Sequence, residues 1–382
     1  MQLVKLVPSM VRLGEPLPWD IRDDQGKLLL SRAHVINDAT HLQTLLERGA
    51  YVNAEEAKAY AMAMAKAAAA KRAESEPQRA VSLFALWERA LWQLDRLLRG
   101  AQEEPGFPAR TEELARHVMS LTERDTDIAI YLAVRQDPKR LSIYGLAHAT
   151  HCAMVCMLMA RRMGWDEDKV LTLMKAALTM NIATLDLQGK LAVQGVPPTP
   201  GQSAILAEHP TKGAEMLRAA GVTDEAWLQA VAQHHERTDG SGYPAKISEP
   251  SELAQALRHV DVFMAKISPR TIRPTVPVQQ AARELFQQDK GGQMAAAIIK
   301  EFGIYPPGDF VKLKSGEQAV VVRRGASATT PLAASITDRK GMPVVTSTVR
   351  DTAKPEFAVV APISDKGLVL RVPPERLYGL PE

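Results

Sequence analysis

Cysteine is nearly absent from this 382-residue chain, which has only Cys152 and Cys156. Four residues apart, the two would share one face of a helix, where their short side chains are poorly placed to close a disulfide. They read instead as a pair of small buried hydrophobes. Aromatic residues are scarce at 5%, whereas methionine occurs 15 times, so much of the core must be aliphatic and Met-filled. Excess charge is also missing. A net charge of +3 does not make a nucleic-acid-coating surface, although it leaves room for a local basic pocket for a small anion. No run reaches the roughly 18 uncharged apolar residues that a membrane span needs. The opening MQLVKLVPSM carries Lys and Pro inside its apolar stretch and has no cleavage site. These absences predict a cytoplasmic protein without nucleic-acid or membrane partners. There is no fixed-period repeat, P-loop, dinucleotide fingerprint or Ser-His-Asp pattern.

What is present divides the chain by character. Residues 1–53 read as a small α+β domain: Leu3–Val11 is extended, Asp23–Gly26 is a turn signal, Lys27–Ser31 is a strand, and a helix over Asp38–Arg48 stops at Gly49. Residues 54–108 read as a helical connector, Ala-rich at first and then carrying Trp87 and Trp92 on core-packing helices. Residues 109–305 are almost wholly helical in pattern, interrupted by Val196–Pro200 and Asp239–Pro244. From 306 to 382 short β-type runs alternate with Gly, Asp and Lys turns. The runs are Phe310–Leu313, Ala319–Val322, Ala333–Thr337, Pro343–Val349 and Leu368–Val372, and they predict a small all-β domain. The predicted class is mainly α, a helical domain flanked by these two smaller ones.

Among nine histidines, the sharpest local signal is the string His234-His235-Glu236-Arg237-Thr238-Asp239-Gly240-Ser241-Gly242-Tyr243-Pro244. Adjacent imidazoles before a Gly-rich turn are unusual in a core, because each needs hydrogen-bond partners, and natural where neutral imidazoles bind a metal. Asp239, Gly240 and Gly242 suit a tight turn. This string resembles the signature of HD-GYP domains, a branch of the HD phosphohydrolase superfamily that hydrolyses cyclic-di-GMP. The likeness runs over roughly 110–305. Tyr144–His148 resembles the helix with the family's early metal histidine, and Glu208-His209-Pro210 its His-Pro ligand segment. His259–Phe263 resembles the stretch that brings the last aspartate, Asp261. The turn at Gln25–Leu30 and the Tyr305–Gly308 motif are also family-like. The resemblance implies an all-helical HD-type domain. It also implies metal ligands at His148, His209, His234, His235 and Asp261.

The centre of the motif departs from the family. Where the family reads Leu-His-Asp-Ile-Gly-Lys, this chain has Thr179-Met180-Asn181-Ile182-Ala183-Thr184. In a two-metal phosphohydrolase a carboxylate bridges the cations and a bridging hydroxide attacks phosphorus. Asn181 is neutral and a poor bridge, Met180 offers a soft thioether, and Thr184 replaces a cation. No residue is therefore assigned as catalytic. The expected cofactor is one divalent transition metal, iron or manganese by resemblance, or none. His151 reads as a partly buried helix histidine. By resemblance Arg270 and Arg273 would grip cyclic-di-GMP, and Tyr243 and Pro244 would face partner proteins such as cyclic-di-GMP synthases. The first functional reading is a catalytically impaired sensor or scaffold in cyclic-di-GMP signalling. The alternatives are an active phosphodiesterase with substitute ligands, and a phosphohydrolase of another nucleotide phosphoester.

Overall fold

A computed structural model describes residues 3–75, 81–272, 275–363 and 372–380. Arg273 and all but the last residue of the strand expected at Leu368–Val372 lie outside the described residues. The chain forms two compact units, Met1–Ala80 and Val81–Glu382.

The first unit contains β1 (Leu3–Lys5), β2 (Ile21–Arg22), β3 (Leu28–Leu30), α1 (Ala39–Glu47), β4 (Tyr51–Asn53) and α2 (Ala54–Ser75). Its antiparallel sheet has the order β1-β4-β2-β3, with Val4 opposite Val52. Asp38 caps α1 by accepting from the Thr40 amide. Leu6, Trp19, Ile21, Ile36 and Val52 form the core, and Tyr60 of α2 meets Trp19 edge-on at 5.0 Å. Only part of the apolar stretch Leu3–Val11 is strand, since Pro8–Met10 turns into a short 3-10 helix.

The second unit starts with α3 (Leu83–Arg99), α4 (Phe107–Arg124), α5 (Thr126–Val134), α6 (Tyr144–Arg162) and α7 (Glu167–Thr179). It continues with α8 (Leu185–Val193), α9 (Pro200–Ala219), α10 (Glu225–Gln233), α11 (Glu252–Ile267), α12 (Val278–Gln288) and α13 (Gln293–Phe302). Side chains at the starts explain many boundaries. Ser82, Asp166, Asp224 and Ser251 cap α3, α7, α10 and α11, and Thr199 with Gln202 forms a capping box on α9. Each cap contributes about 1 kcal/mol. The core is aliphatic and Met-rich, as the composition predicted: Met154, Met157, Met159 and Met174 are all buried, together with both cysteines. Trp87 joins this core, whereas Trp92 lies on the outside of α3 and donates to Glu88.

The chain ends in β5 (Phe310–Leu313), β6 (Gln318–Arg323), β7 (Leu332–Ser335), β8 (Val349–Asp351), β9 (Val359–Pro362) and α14 (Pro374–Leu377). The sheet is antiparallel in the order β8-β7-β6-β5-β9. Strand alternation places Phe310, Val320, Val322 and Ala334 in the helical core, while Val311, Ala319, Val321 and Ala333 pack with Phe357 on the opposite face. Arg323 pairs with Asp125 at 2.8 Å and Arg324 with Asp127 and Glu301, tying β6 to the start of α5 and the end of α13. The strand expected at Pro343–Val349 is mostly loop. Only Val349 enters β8, and Pro343 makes an isolated bridge to Thr337, because proline cannot supply a ladder donor. The architecture is thus a helical domain with antiparallel sheets at both ends of the sequence.

Two helical stretches, 138–162 and 167–193, are long and apolar enough to cross a membrane by composition. In them 78% and 67% of the apolar windows are buried inside the fold.

Candidate metal centre

Four helices converge to bring together all five histidine and aspartate ligand candidates. His148 comes from α6, His209 from α9, His234 from the end of α10 with His235 just beyond it, and Asp261 from α11. They form two groups. In His209, His234 and His235 one nitrogen from each ring lies within 4.8 Å of the others. The second group is His148, Cys152 and Asp261, within the same spread. Asp261 joins them: one oxygen is 2.7 Å from His148 Nε2, and the other is 3.9 Å from His235 Nδ1.

The first group is oriented by the backbone. His209 Nδ1 lies 2.6 Å from the Leu206 carbonyl, and His234 Nδ1 lies 2.7 Å from that of Val231. A carbonyl can only accept, so both Nδ1 atoms carry protons and both Nε2 atoms present lone pairs. Those two Nε2 atoms face each other at 3.2 Å. Pro210, inside α9, accounts for the Leu206 carbonyl: proline has no amide N–H to bond four residues back, so that carbonyl is left for His209. The Val231 carbonyl belongs to the last turn of α10, where helix acceptors lack intrahelical partners. Burial lowers the pKa of His209. It lowers that of His234 further, with His235 and His209 adding to the effect. Burial also takes His235 down to about 4. The three imidazoles are therefore neutral at pH 7, two with lone pairs converging across a gap that holds no proton. That is the state a divalent cation requires.

The second group is closed on itself. His148 Nε2 donates to Asp261, and Cys152 Sγ lies 3.5 Å from the same nitrogen. Burial pushes the Cys152 thiol well up, and the Asp261 charge adds to this, so the sulfur is protonated. Burial opposes ionisation of Asp261, but the His148 hydrogen bond and the neighbouring imidazoles outweigh it and hold the carboxyl below its usual range. Asp261 is the one carboxylate in the two groups found among the described residues.

The departing motif lies beside this centre. A Cβ added to Gly213 of α9 would be 3.4 Å from Val231 and 3.6 Å from the Met180 carbonyl, so the segment packs against the helices that carry His209 and His234. Trp227 Nε1 donates to Thr179 Oγ1 at 2.9 Å, pinning the end of α7. Met180, Asn181 and Thr184 are all buried. The Asn181 side chain has no hydrogen bond among the described residues, and Thr184 Oγ1 reaches only the Asn181 carbonyl, at 3.5 Å.

The turn after His235 is built around a residue to which sequence reasoning gave no role. Glu236 is buried and accepts from the Ala245 and Lys246 amides at 2.6 and 3.0 Å. Gly242 packs against this strut, where an added Cβ would meet the Glu236 and Arg237 backbone at 2.5 Å. Gly240 has φ of +71°. Asp239, exposed, accepts from the Ser241 amide and hydroxyl, and Arg237 pairs with it. The Tyr243 ring, 36% exposed, stacks on His235 at 4.6 Å, and Pro244 follows it in the turn. Arg270 donates to Tyr144 Oη at 2.6 Å with its guanidinium 4.6 Å from that ring's centre, and Tyr144 in turn stacks on His148. It is thus connected to the centre through one aromatic ring. His151 belongs to neither group, and its Nδ1 is unpartnered among the described residues.

Residues 117–293 match the HD domain family. Over 189 residues the chain is 29% identical to "Cyclic di-GMP phosphodiesterase PA4108" of Pseudomonas aeruginosa, covering 47% of this chain and 46% of that protein. Over 131 residues it is 30% identical to a "Cyclic di-GMP phosphodiesterase" of Thermotoga maritima, covering 33% of this chain and 35% of that one. The chain therefore matches less than half the length of either relative. Among solved structures, Bd1817, described as a HDG"Y"P protein from Bdellovibrio bacteriovorus, aligns with a TM-score of 0.46 at 16% identity, over 78% of this chain and 99% of that one. The helical region thus carries the HD domain match, and the curated relatives it resembles are cyclic di-GMP phosphodiesterases.

Proposed function

We propose that this protein binds one divalent transition metal at His209, His234 and His235, and recognises cyclic-di-GMP without hydrolysing it efficiently. The observation that carries this reading is the contrast in proton placement: paired Nε2 lone pairs at 3.2 Å in one group, and a closed His148–Asp261 hydrogen bond in the other. Three neutral imidazoles suit a borderline ion, iron among them. When bound, such an ion would polarise a phosphoryl oxygen or a water. The second cation of the family centre would need a carboxylate at 181, and Asn181 has no charge to offer it. Arg270, held on Tyr144 beside His148, supports the recognition of a phosphate, as does the descent shared with two cyclic-di-GMP phosphodiesterases. On this reading the protein is a sensor, or a scaffold whose Tyr243 and Pro244 turn meets partner proteins.

One observation favours the alternative, an active phosphodiesterase. Asp261 reaches both groups, so it could take over the bridging role. The two readings separate in one experiment, in which cyclic-di-GMP hydrolysis is followed with added iron or manganese and binding is measured by calorimetry. Binding with negligible turnover is the expected outcome. Sustained turnover would instead identify Asp261 as the bridge.

A further inference from the structure

A cavity of about 370 Å³ lies between α3, α5 and α6, with Tyr144, Ala147, Thr150 and His151 lining it from α6. Its wall is aromatic and aliphatic, with Phe84, Trp87, Tyr131, Tyr144, Leu132 and Ile143 contributing. Neither relative's name nor the family match assigns anything to it. Two polar atoms on its lining residues have no partner among the described residues: Trp87 Nε1 and His151 Nδ1. Trp87 is only 6% exposed, so its N–H has exchanged water for nothing. A buried donor left in this state is costly, and a fold tolerates it where a ligand supplies the acceptor. Two of the charged side chains on the wall, Arg140 and Glu88, are already locked together by two hydrogen bonds of 2.8 and 2.7 Å.

From these features we infer that the cavity is a second binding site, distinct from the metal centre, for a flat aromatic molecule bearing a hydrogen-bond acceptor. The aromatic walls stack on the ring system, Trp87 Nε1 donates to the acceptor, and His151 Nδ1 meets a second polar atom. The cavity volume falls within the usual span of small-molecule sites, roughly 300–1,000 Å³. Tyr144 is shared: it lines the cavity and stacks on His148 at 5.3 Å, so an occupant would touch the ring that backs the metal centre.

The probe is anilinonaphthalene sulfonate, a flat aromatic with sulfonate acceptors, titrated by fluorescence into the full chain. Two variants locate it. Leu132→Trp fills the cavity from α5, which carries no metal ligand, and should abolish one equivalent of binding. Trp87→Phe keeps the ring and removes the donor, and should weaken that same equivalent about five-fold, the range of one net hydrogen bond. Circular dichroism and melting temperature establish that each variant is folded, and Trp87→Phe carries the test alone if Leu132→Trp is not. Binding that is absent in the parent protein, or unchanged in stoichiometry and affinity in the folded variants, would overturn the inference.

Discussion

The two ligand groups of the helical domain each offer three potential metal ligands a few ångströms apart, yet they are prepared for different things. In the first, backbone carbonyls of Leu206 and Val231 take the Nδ1 protons and leave lone pairs converging. In the second, the available imidazole proton goes to Asp261 and the Cys152 sulfur keeps its own. A ligand count treats the groups as equal, and the hydrogen bonds do not. A metal site therefore depends as much on what holds the far side of each imidazole as on the imidazole itself.

The largest effect that would break this comparison comes from removing one ring from each group. His234→Ala should lower metal affinity by about 100-fold, while His148→Ala should leave it within a few-fold, as read by competition with a chromogenic chelator. Equal losses would mean that both groups share the ion. A smaller effect sharpens the backbone argument. Pro210→Ala restores an amide N–H that competes for the Leu206 carbonyl, so the His209 ring loses its anchor and metal affinity should fall about 10-fold, with melting temperature of the metal-free protein unchanged or raised. Unchanged affinity would show that the proline has no part in setting the ring.

Acid titration tests the same burial in the metal-free protein. The folded pKa values of His235 and His151, about 4 and about 3, lie below the 6.5 of a free imidazole. As pH falls below 6.5 the unfolded chain takes up protons that the folded chain refuses. Their contribution is thus complete above 6.5 and is lost progressively down to about 4 for His235 and about 3 for His151. His235 accounts for up to about 3 kcal/mol of that loss. Denaturant midpoints of metal-free protein between pH 7 and 4 check the sign, and bound metal should steepen the fall by competing with the same protons. Stability that is flat across the window would mean that these rings are protonated in the fold.

Much of this was legible in the sequence because the signals are dense where function concentrates. Adjacent histidines, a Gly-rich turn and His-Pro are short strings, and helical patterning located the domain around them. The C-terminal strands Phe310–Leu313 and Ala319–Val322 stood out as short β-type runs between turn residues, whereas β9 at Val359–Pro362 ends in proline and escaped notice. Properties of three-dimensional proximity were not legible. Cys152 read as a small hydrophobe, which its burial supports, but nothing in the sequence places its sulfur beside His148 and Asp261. Glu236 looked like one charge in a motif, and only the folded turn reveals that it holds the Ala245 and Lys246 amides. The orphan atoms of Trp87 and His151 likewise exist only once α3 and α6 have packed.

The central claim, one prepared metal site rather than two, is tested most directly by elemental analysis of protein purified with iron or manganese present, set against the Met180→His, Asn181→Asp, Thr184→Lys variant. The account predicts at most one metal ion per native chain and a higher count in the variant, where a charged bridge is restored. Two or more transition-metal ions per native chain would contradict it.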